Sequence, residues 1–235
     1  MEKSVFVLFA DPPEDRARLA TRVREELAPR LLALGVSGLV LHLADEHVAY
    51  AEATRRVRQE RPIVGLVSVF TETMAEVPAV EELLREVAPR FAGYRVDPHV
   101  ALPNSTRVAP LGERTPDPVV VAFLERPERL SAGEWRRIWR EEHVPVAIET
   151  QSTFHYVRNV VREPLTEDAP AWEGIVEEGF PHDALLDPKV WYAADGDEAL
   201  FKTRFRRMMS SVKKFLDPEK VESIPTSEYR LRLPL

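Results

Sequence analysis

A histidine lies on the apolar face of a predicted helix in the carboxy-terminal half of the sequence. The helix is predicted over SAGEWRRIWREEHVP, where Ser131 is a suitable N-cap residue and Glu134 completes a capping box. Trp135, Trp139 and His143 follow at a spacing of four residues, so their side chains share one helix face. Because an imidazole can take up or release a proton near neutral pH, His143 is a candidate general acid or base.

The amino-terminal half of the sequence predicts that this helix face is buried. At an offset of 116 residues, REELAP at 24–29 aligns with REEHVP at 140–145, and four of the six residues are identical. The aligned stripe of the first copy is aliphatic and includes Val23 and Leu27, as a core-facing helix requires. His143 therefore takes the place of a core leucine, and a polar pocket is expected in the second copy only.

Both halves have the same predicted order of elements: strand, helix, strand, strand, helix, strand. This is the order of a ferredoxin-like βαββαβ unit, and its recurrence predicts a duplication. We expect an α+β protein in which two such units place their antiparallel sheets face to face, as in a dimeric α/β barrel. Residues 1–103 form the first, degenerate unit, 104–117 a linker, and 118–235 the unit that carries the pocket. A turn and helix start are expected at ADPPED, residues 10–15.

A predicted strand, FHYVRNVV, adds further polar residues to this pocket. The same offset places His155 over Leu39 and Asn159 over Leu43, and strand alternation puts both on one face. His143, His155 and Asn159 would then replace three leucines of the first copy. A shift of one residue would instead select Tyr156 and Arg158.

Two features have a plain structural alternative. A buried histidine is often a hydrogen-bonded core residue, whose loss costs roughly 1 to 3 kcal/mol. Glu141 and Glu142 resemble a catalytic carboxylate pair, but Glu25 and Glu26 occupy the same positions in the copy that has no histidine. Ion pairs on a solvated helix face therefore explain these glutamates better than catalysis does.

Composition excludes several classes of function. The net charge of −7 argues against nucleic acid as a partner, and the absence of cysteine excludes disulfides and thiolate sites. The sequence contains neither an HExxH nor a GxGxxG motif, so no metal and no nucleotide cofactor is expected. No segment has the ~20 apolar residues that a membrane span needs, and no signal peptide is evident, so a cytoplasmic protein is predicted.

The carboxy-terminal half resembles the EthD family of the dimeric α/β-barrel superfamily. The resemblance is carried by EWRRIWREEHVPVA, FHYVRNVV and KKFLDPEKVESIPTSEY, and it covers about Pro118 to Leu235. It implies a pocket between sheet and helices, with His143, Tyr156 and Asn159 at the positions characteristic of the family. The first half resembles the family only as a degenerate second copy.

One departure from the family pattern concerns the last helix. The family tends to have an acidic residue a few positions before the phenylalanine of FLD, whereas Ser211 and Val212 precede Phe215 here. The superfamily includes cofactor-independent monooxygenases, polyketide cyclases, isomerases, decarboxylases and some haem proteins. The resemblance therefore implies a pocket for a small molecule and leaves the reaction open.

We predict that the second half binds a small apolar carbonyl compound, aromatic or polyketide-like, and moves a proton on it without a cofactor. His143 would be the acid or base of a cyclisation, isomerisation, dehydration or decarboxylation. Oxyanion stabilisation is expected from Tyr156 and Asn159, and substrate contacts from His155, Trp139, Trp135, Arg158 and Trp191. The alternatives are a non-catalytic binding protein, a cofactor-independent monooxygenase, and a haem protein with His143 or His155 as axial ligand. A homodimer through other surfaces is possible.

Overall fold

A computed structural model describes residues 1–10 and 16–234 of the protein. Eight antiparallel strands form one closed barrel. The strands are β1 (Glu2–Phe9), β2 (Gly38–Leu43), β3 (Ile63–Thr71), β4 (Phe91–Leu102), β5 (Val119–Leu124), β6 (His155–Pro164), β7 (Gly174–Gly179) and β8 (Glu222–Arg232). The turn expected at ADPPED lies, from residue 11 to residue 15, outside the described residues.

The same strand order recurs in the two halves of the barrel. Around the barrel the order is β1, β3, β2, β8, β5, β7, β6 and β4, and β4 pairs with β1. Each half therefore has its fourth strand beside its first, followed by its third and second. The halves join edge to edge through β2–β8 and β4–β6, so the two four-stranded sheets face one another across a shared interior.

Helices cover the outside of the barrel in both halves. They are α1 (Arg16–Arg22), α2 (Ala28–Leu34), α3 (Val77–Val87), α4 (Ala132–Ile138), α5 (Val144–Thr150), α6 (Pro188–Trp191) and α7 (Glu198–Phe215). Helix α7 begins at Asp197, whose carboxylate accepts hydrogen bonds from the amides of Ala199 and Leu200. Among the described residues, no helix is both long and apolar enough to cross a membrane.

A π-helical turn interrupts the first long helix of each half at the same place. In the first half Val23–Leu27 lies between α1 and α2, and in the second half Trp139–His143 lies between α4 and α5. Both turns, and the helices before and after them, keep the offset of 116 residues seen in the sequence. Pro29 and Pro145 follow each turn, and because proline has no N–H, the regular hydrogen-bond ladder is broken there. His143 and Leu27 thus occupy matching positions, as the sequence predicted.

Buried apolar residues form three clusters. One fills the barrel and includes Trp172, whose ring stacks on Phe123 with ring centres 4.3 Å apart. The second lies between the β1–β4 half of the barrel and α1 to α3, and it is largely aliphatic. The third lies between the β5–β8 half and helices α4, α5 and α7, and is called the carboxy-terminal layer below.

The segment between the halves is part of the structure. The amides of Gly112 and Thr115 donate hydrogen bonds to the carbonyls of Arg230 and Glu228 of β8, each at 2.9 Å. Thr115 is fully buried, and its hydroxyl also bonds to the Glu228 carboxylate. Residues 109–115 therefore lie along β8 and do not form a free spacer.

The barrel closes within one chain, so its stability should not depend on a second chain. We expect the midpoint of urea unfolding to stay constant over roughly a hundredfold range of protein concentration. Circular dichroism and tryptophan fluorescence would follow the transition. A midpoint that rises with concentration would show that the fold needs a partner subunit.

Candidate functional site

The carboxy-terminal layer contains several of the residues that the sequence predicted for the site. Helix α4 contributes Trp135 to it, the π-helical turn contributes Trp139 and His143, and β6 contributes Tyr156. The side chain of Arg158 also faces this layer, because its guanidinium carbon lies 5.3 Å from the centre of the Trp139 ring.

The strand alignment that placed His155 and Asn159 in this layer is wrong. Leu8 pairs with Gly65 and Leu124 with Gly174, which makes the two glycines equivalent. The partner of Gly65 on β2 is Leu43, whereas the partner of Gly174 on β6 is Val160. The true offset in this strand is therefore 117, one residue more than in the helix.

This shift exchanges the two faces of β6. Tyr156 and Arg158 face the helices, where they correspond to Leu39 and Leu41 of the first half. His155 and Asn159 point into the barrel. The polar residues that replace leucines in the carboxy-terminal layer are therefore His143, Tyr156 and Arg158.

His143 is a neutral, buried imidazole. Its Nδ1 lies 3.1 Å from the hydroxyl oxygen of Ser211 on α7, and its ring centre is 4.6 Å from that of Phe215. Only 8% of the residue is exposed. Burial lowers the pKa of His143 to about 4, because the apolar surroundings disfavour the charged form. Nε2 forms no hydrogen bond with any described residue.

Ser211, the hydrogen-bond partner of His143, brings no charge that would offset the effect of burial on this pKa. The hydroxyl stands in the part of α7 where the EthD resemblance leads one to expect an acidic residue. A carboxylate there would stabilise an imidazolium, whereas a hydroxyl brings no negative charge to offset the cost of burial. The sequence showed the departure at Ser211, but it did not show that Ser211 is the partner of His143.

Aromatic side chains form the body of the layer. The ring centres of Trp135 and Trp139 are 5.0 Å apart, and Trp139 stacks on Phe215 at 6.4 Å. Trp139 donates a hydrogen bond from Nε1 to the Tyr156 hydroxyl at 3.3 Å. Burial raises the pKa of Tyr156, and the nearby Glu178 raises it further, so the phenol keeps its proton.

Glu178 is a polar residue of this layer that sequence reasoning missed. It pairs with Tyr156 across β6 and β7 and faces the same side. Burial raises the pKa of Glu178 to about 8, so the carboxyl is largely protonated at neutral pH. The adjacent glutamates of WEGIVEEGF were a usable signal, because alternation places one of them in the barrel and the other under the helices.

Trp191 lies at the edge of this group. Its ring stacks on Phe180 with ring centres 3.7 Å apart. With the Gln151 amide turned to satisfy both neighbours, Gln151 donates to Glu178 Oε1 at 3.0 Å and accepts from Trp191 Nε1 at 2.8 Å. Trp191 is therefore linked to Glu178 through Gln151.

Asn159 belongs to a buried ion pair inside the barrel. Lys3 Nζ donates to Asn159 Oδ1 and to Glu177 Oε1, both at 2.9 Å, and Asn159 Nδ2 donates to the same carboxylate at 2.9 Å. Burial opposes the charge of Glu177, but Lys3 holds its pKa down at about 2. His155 faces this cluster, as does the fully buried His42. Asn159 is therefore positioned to support an ion pair and not to contact a ligand of His143.

A cleft of about 250 Å³ lies in the first half, away from the predicted site residues. Its lining includes Arg16, Glu52 and Arg55, and both arginines pair with Glu52. The charged groups of this cleft therefore satisfy one another.

Haem does not fit the carboxy-terminal layer. His143 packs on Phe215 and bonds to Ser211, while the fully buried Trp135 and Trp139 occupy the space beside it. A planar macrocycle would have to displace these side chains, and His155 faces the Lys3–Glu177 pair in the barrel. Among the described residues, no group of three or more potential ligands could hold a metal ion.

Comparison with solved structures identifies the fold. An anthrone oxidase-like protein matches over 100% of this chain and 95% of its own, with a TM-score of 0.54 and 11% identity. A provisionally named monooxygenase from Fusobacterium nucleatum subsp. nucleatum matches over 98% and 92%, with a TM-score of 0.49 and 11% identity. A provisionally named chlorite dismutase matches over 98% of this chain and 94% of its own, with a TM-score of 0.48 and 12% identity.

The chain therefore has the dimeric α/β-barrel fold, here closed within a single polypeptide. No protein-family model and no curated protein sequence matches it. At these identities the likeness defines the fold and not the activity.

Acidification should destabilise the protein partly through His143. The pKa of this group is about 4 in the folded chain and 6.5 in the unfolded chain, so the unfolded chain binds more protons between these values. The contribution of the neutral His143 to the unfolding free energy is complete above pH 6.5, and it is lost as the pH falls towards 4. His143→Leu should therefore lose less unfolding free energy between pH 7 and pH 5, by about 1 to 2 kcal/mol. Urea titrations at both pH values would measure this, and equal losses in both proteins would contradict it.

The buried pair in the barrel should be sensitive to removal of one partner. Lys3→Met leaves Glu177 charged and unpaired in the barrel, so we expect a loss of about 3 to 5 kcal/mol of unfolding free energy at pH 7. Lys3→Met combined with Glu177→Leu should recover most of it, because the apolar pair leaves no buried charge. If Lys3→Met alone were as stable as the wild type, the barrel interior around Glu177 would be hydrated and not desolvated.

Proposed function

We propose that this protein binds a small, mainly apolar carbonyl compound in the carboxy-terminal layer and transfers a proton on it without a cofactor. The proposal rests on one observation: three leucines of the first half, Leu27, Leu39 and Leu41, are replaced by His143, Tyr156 and Arg158. In the first half, leucine at these positions satisfies the packing between helix and sheet. Polar groups at all three positions point to chemistry in the second half.

The chemistry follows from the charge states of these groups. His143 is neutral at pH 7, so Nε2 can accept a proton from the carbon next to a carbonyl. As the C–H bond breaks, its electron pair moves to the carbonyl oxygen, and the protonated phenol of Tyr156 donates a hydrogen bond to this oxyanion. Return of the proton to a different carbon gives isomerisation, and related routes give cyclisation, dehydration or decarboxylation.

The low pKa of His143 suits a reaction in which two charges form together. An isolated imidazolium is unfavourable in this layer, but an imidazolium next to a new oxyanion forms an ion pair. The protonated Glu178, beside Tyr156, adds a second donor near that oxygen. Proton transfer is therefore favoured only when an enolisable compound is bound.

A non-catalytic binding protein is the second candidate. It is favoured by the packing of His143, which bonds to Ser211 and lies on Phe215 as a structural histidine does. Such a protein would use the aromatic side chains for shape and Tyr156 as an anchor, and it would need no proton transfer.

We also propose that the two halves are duplicated ferredoxin-like units, with the site in the EthD-like unit, residues 118–235. The matching π-helical turns and strand order support this origin. We propose a cytoplasmic protein whose outer surfaces can form a homodimer, while the barrel itself is complete in one chain.

Anthrone is a suitable probe, because it is a small aromatic ketone whose CH2 group is conjugated with the carbonyl through the aromatic rings, so that loss of a CH2 proton also moves the electron pair to the carbonyl oxygen. We expect the protein to accelerate exchange of this CH2 with D2O under anaerobic conditions, followed by proton NMR. His143→Leu should slow the catalysed exchange by roughly 10²- to 10⁴-fold while the chain stays folded, since leucine fills the matching site in the first half. His99→Gln, which changes an exposed histidine of β4, is the matched control and should leave exchange unchanged.

The outcomes separate the candidates. Equal exchange in His143→Leu and the wild type would overturn the role of His143. Quenching of tryptophan fluorescence by anthrone without exchange would support the binding protein. Uptake of O2 with anthraquinone formation in air, lost in His143→Leu, would extend the reaction to a cofactor-independent monooxygenase.

A further inference from the structure

Arg158 is a buried cation that lacks an anionic partner. The residue is only 6% exposed, and its Nε is buried without a hydrogen-bond acceptor, while its terminal Nη atoms reach the surface. No described residue accepts a hydrogen bond from its guanidinium, and none forms a salt bridge with it. By contrast, Lys3 and Glu177, which are buried in the barrel, pair with each other. Buried charges are normally paired, so the isolation of Arg158 needs a reason.

At neutral pH the described neighbours of Arg158 do not neutralise its charge. The guanidinium lies over the Trp139 ring at 5.3 Å, and the nearby phenol of Tyr156 is uncharged. Burial lowers the pKa of Arg158, Tyr156 partly opposes this effect, and repulsion by Arg140, on the π-helical turn above, lowers the pKa further. Glu178 lies on the same sheet face but contributes no neutralising charge to Arg158. The site thus has a positive charge that its own residues do not neutralise.

Packing does not require an arginine at this position. Leu41, the equivalent residue of the first half, is fully buried in an aliphatic cluster. The hydroxyl of Tyr156 has a partner in Trp139 Nε1, and the imidazole of His143 has one in Ser211. Arg158 differs from both, because none of its guanidinium nitrogens has a hydrogen-bond partner among the described residues.

We infer that the ligand of the carboxy-terminal layer is an aromatic carboxylate, whose carboxylate binds the guanidinium of Arg158. The planar guanidinium matches a carboxylate through two parallel N–H to O bonds. Because Trp135 and Trp139 are fully buried, the ring of such a ligand would enter the layer only as these aromatic side chains move apart, which is a smaller displacement than a macrocycle would need. This inference rests on the proposed function, because it takes the layer as the binding site, and it adds that the substrate is a carbonyl compound with a separate acidic group.

A matched pair of ligands tests the charge requirement. The probes are 2-naphthoate and 2-naphthamide, which share a ring system and nearly the same shape but differ in charge. Quenching of tryptophan fluorescence and isothermal titration would give both dissociation constants. We expect 2-naphthoate to bind wild-type protein at least about tenfold more tightly than 2-naphthamide.

Variants at Arg158 locate the effect. Arg158→Leu places the residue of the first half at this position, so the chain should fold, which thermal melting would check. It should lose the preference for 2-naphthoate and keep its affinity for 2-naphthamide within about twofold. Arg158→Lys keeps the charge without the planar fork and should retain only part of the preference. Arg137→Leu, which removes an exposed cation of α4, is the matched control and should behave as the wild type.

Each result decides between the two claims. Equal binding of both probes would overturn the carboxylate inference but would still support the carboxy-terminal layer as a binding site. Binding of neither probe would overturn the inference and would count against the proposed function. A preference for 2-naphthoate that persists in Arg158→Leu would place the anion site elsewhere and overturn the assignment to Arg158.

Discussion

Closure of the barrel is the constraint on which the candidate site depends. Because β2 pairs with β8 and β4 with β6, every strand has two neighbours, and each side chain points either into the barrel or under the helices. The side chains of two consecutive strand residues therefore lie on opposite faces of the barrel wall and cannot share one site. Asn159 supports an ion pair in the barrel, while Arg158, one residue earlier, lies under the helices.

Desolvation then gives these polar groups their chemical character. In the carboxy-terminal layer, burial keeps His143 neutral and Glu178 largely protonated, although an imidazole and a carboxyl would ordinarily carry charge more readily. In the barrel, Glu177 stays ionised because Lys3 contacts it directly. The two neighbouring glutamates of β7 therefore differ in charge at neutral pH, and the cause is the face of the sheet on which each one lies.

The helical part of the site could be predicted from the sequence, and the strand part could not. The helices keep one offset, so Leu27 identified the burial of His143 correctly. The connection from α2 to β2 has three residues, 35–37, whereas that from α5 to β6 has four, 151–154. One extra residue reverses the faces of a strand, and the sequence contains no sign of where it is inserted.

Other contacts of the site join residues far apart in the chain. Ser211 lies 68 residues from His143, and no periodic pattern connects them. The pairing of Lys3 with Glu177 spans 174 residues and depends on closure of the whole barrel. Burial of single residues was predictable because it repeats along an element, but partners across the fold were not.

The central claim is that the carboxy-terminal layer, and not the barrel interior, binds the ligand. The most direct measurement is a nitrogen-15 NMR titration of the histidine rings and tryptophan side chains with 2-naphthoate. We expect the resonances of His143 and of Trp139 Nε1 to shift on binding, while those of His42 and His155 in the barrel stay unchanged. Shifts confined to His42 and His155, with His143 unchanged, would contradict this claim.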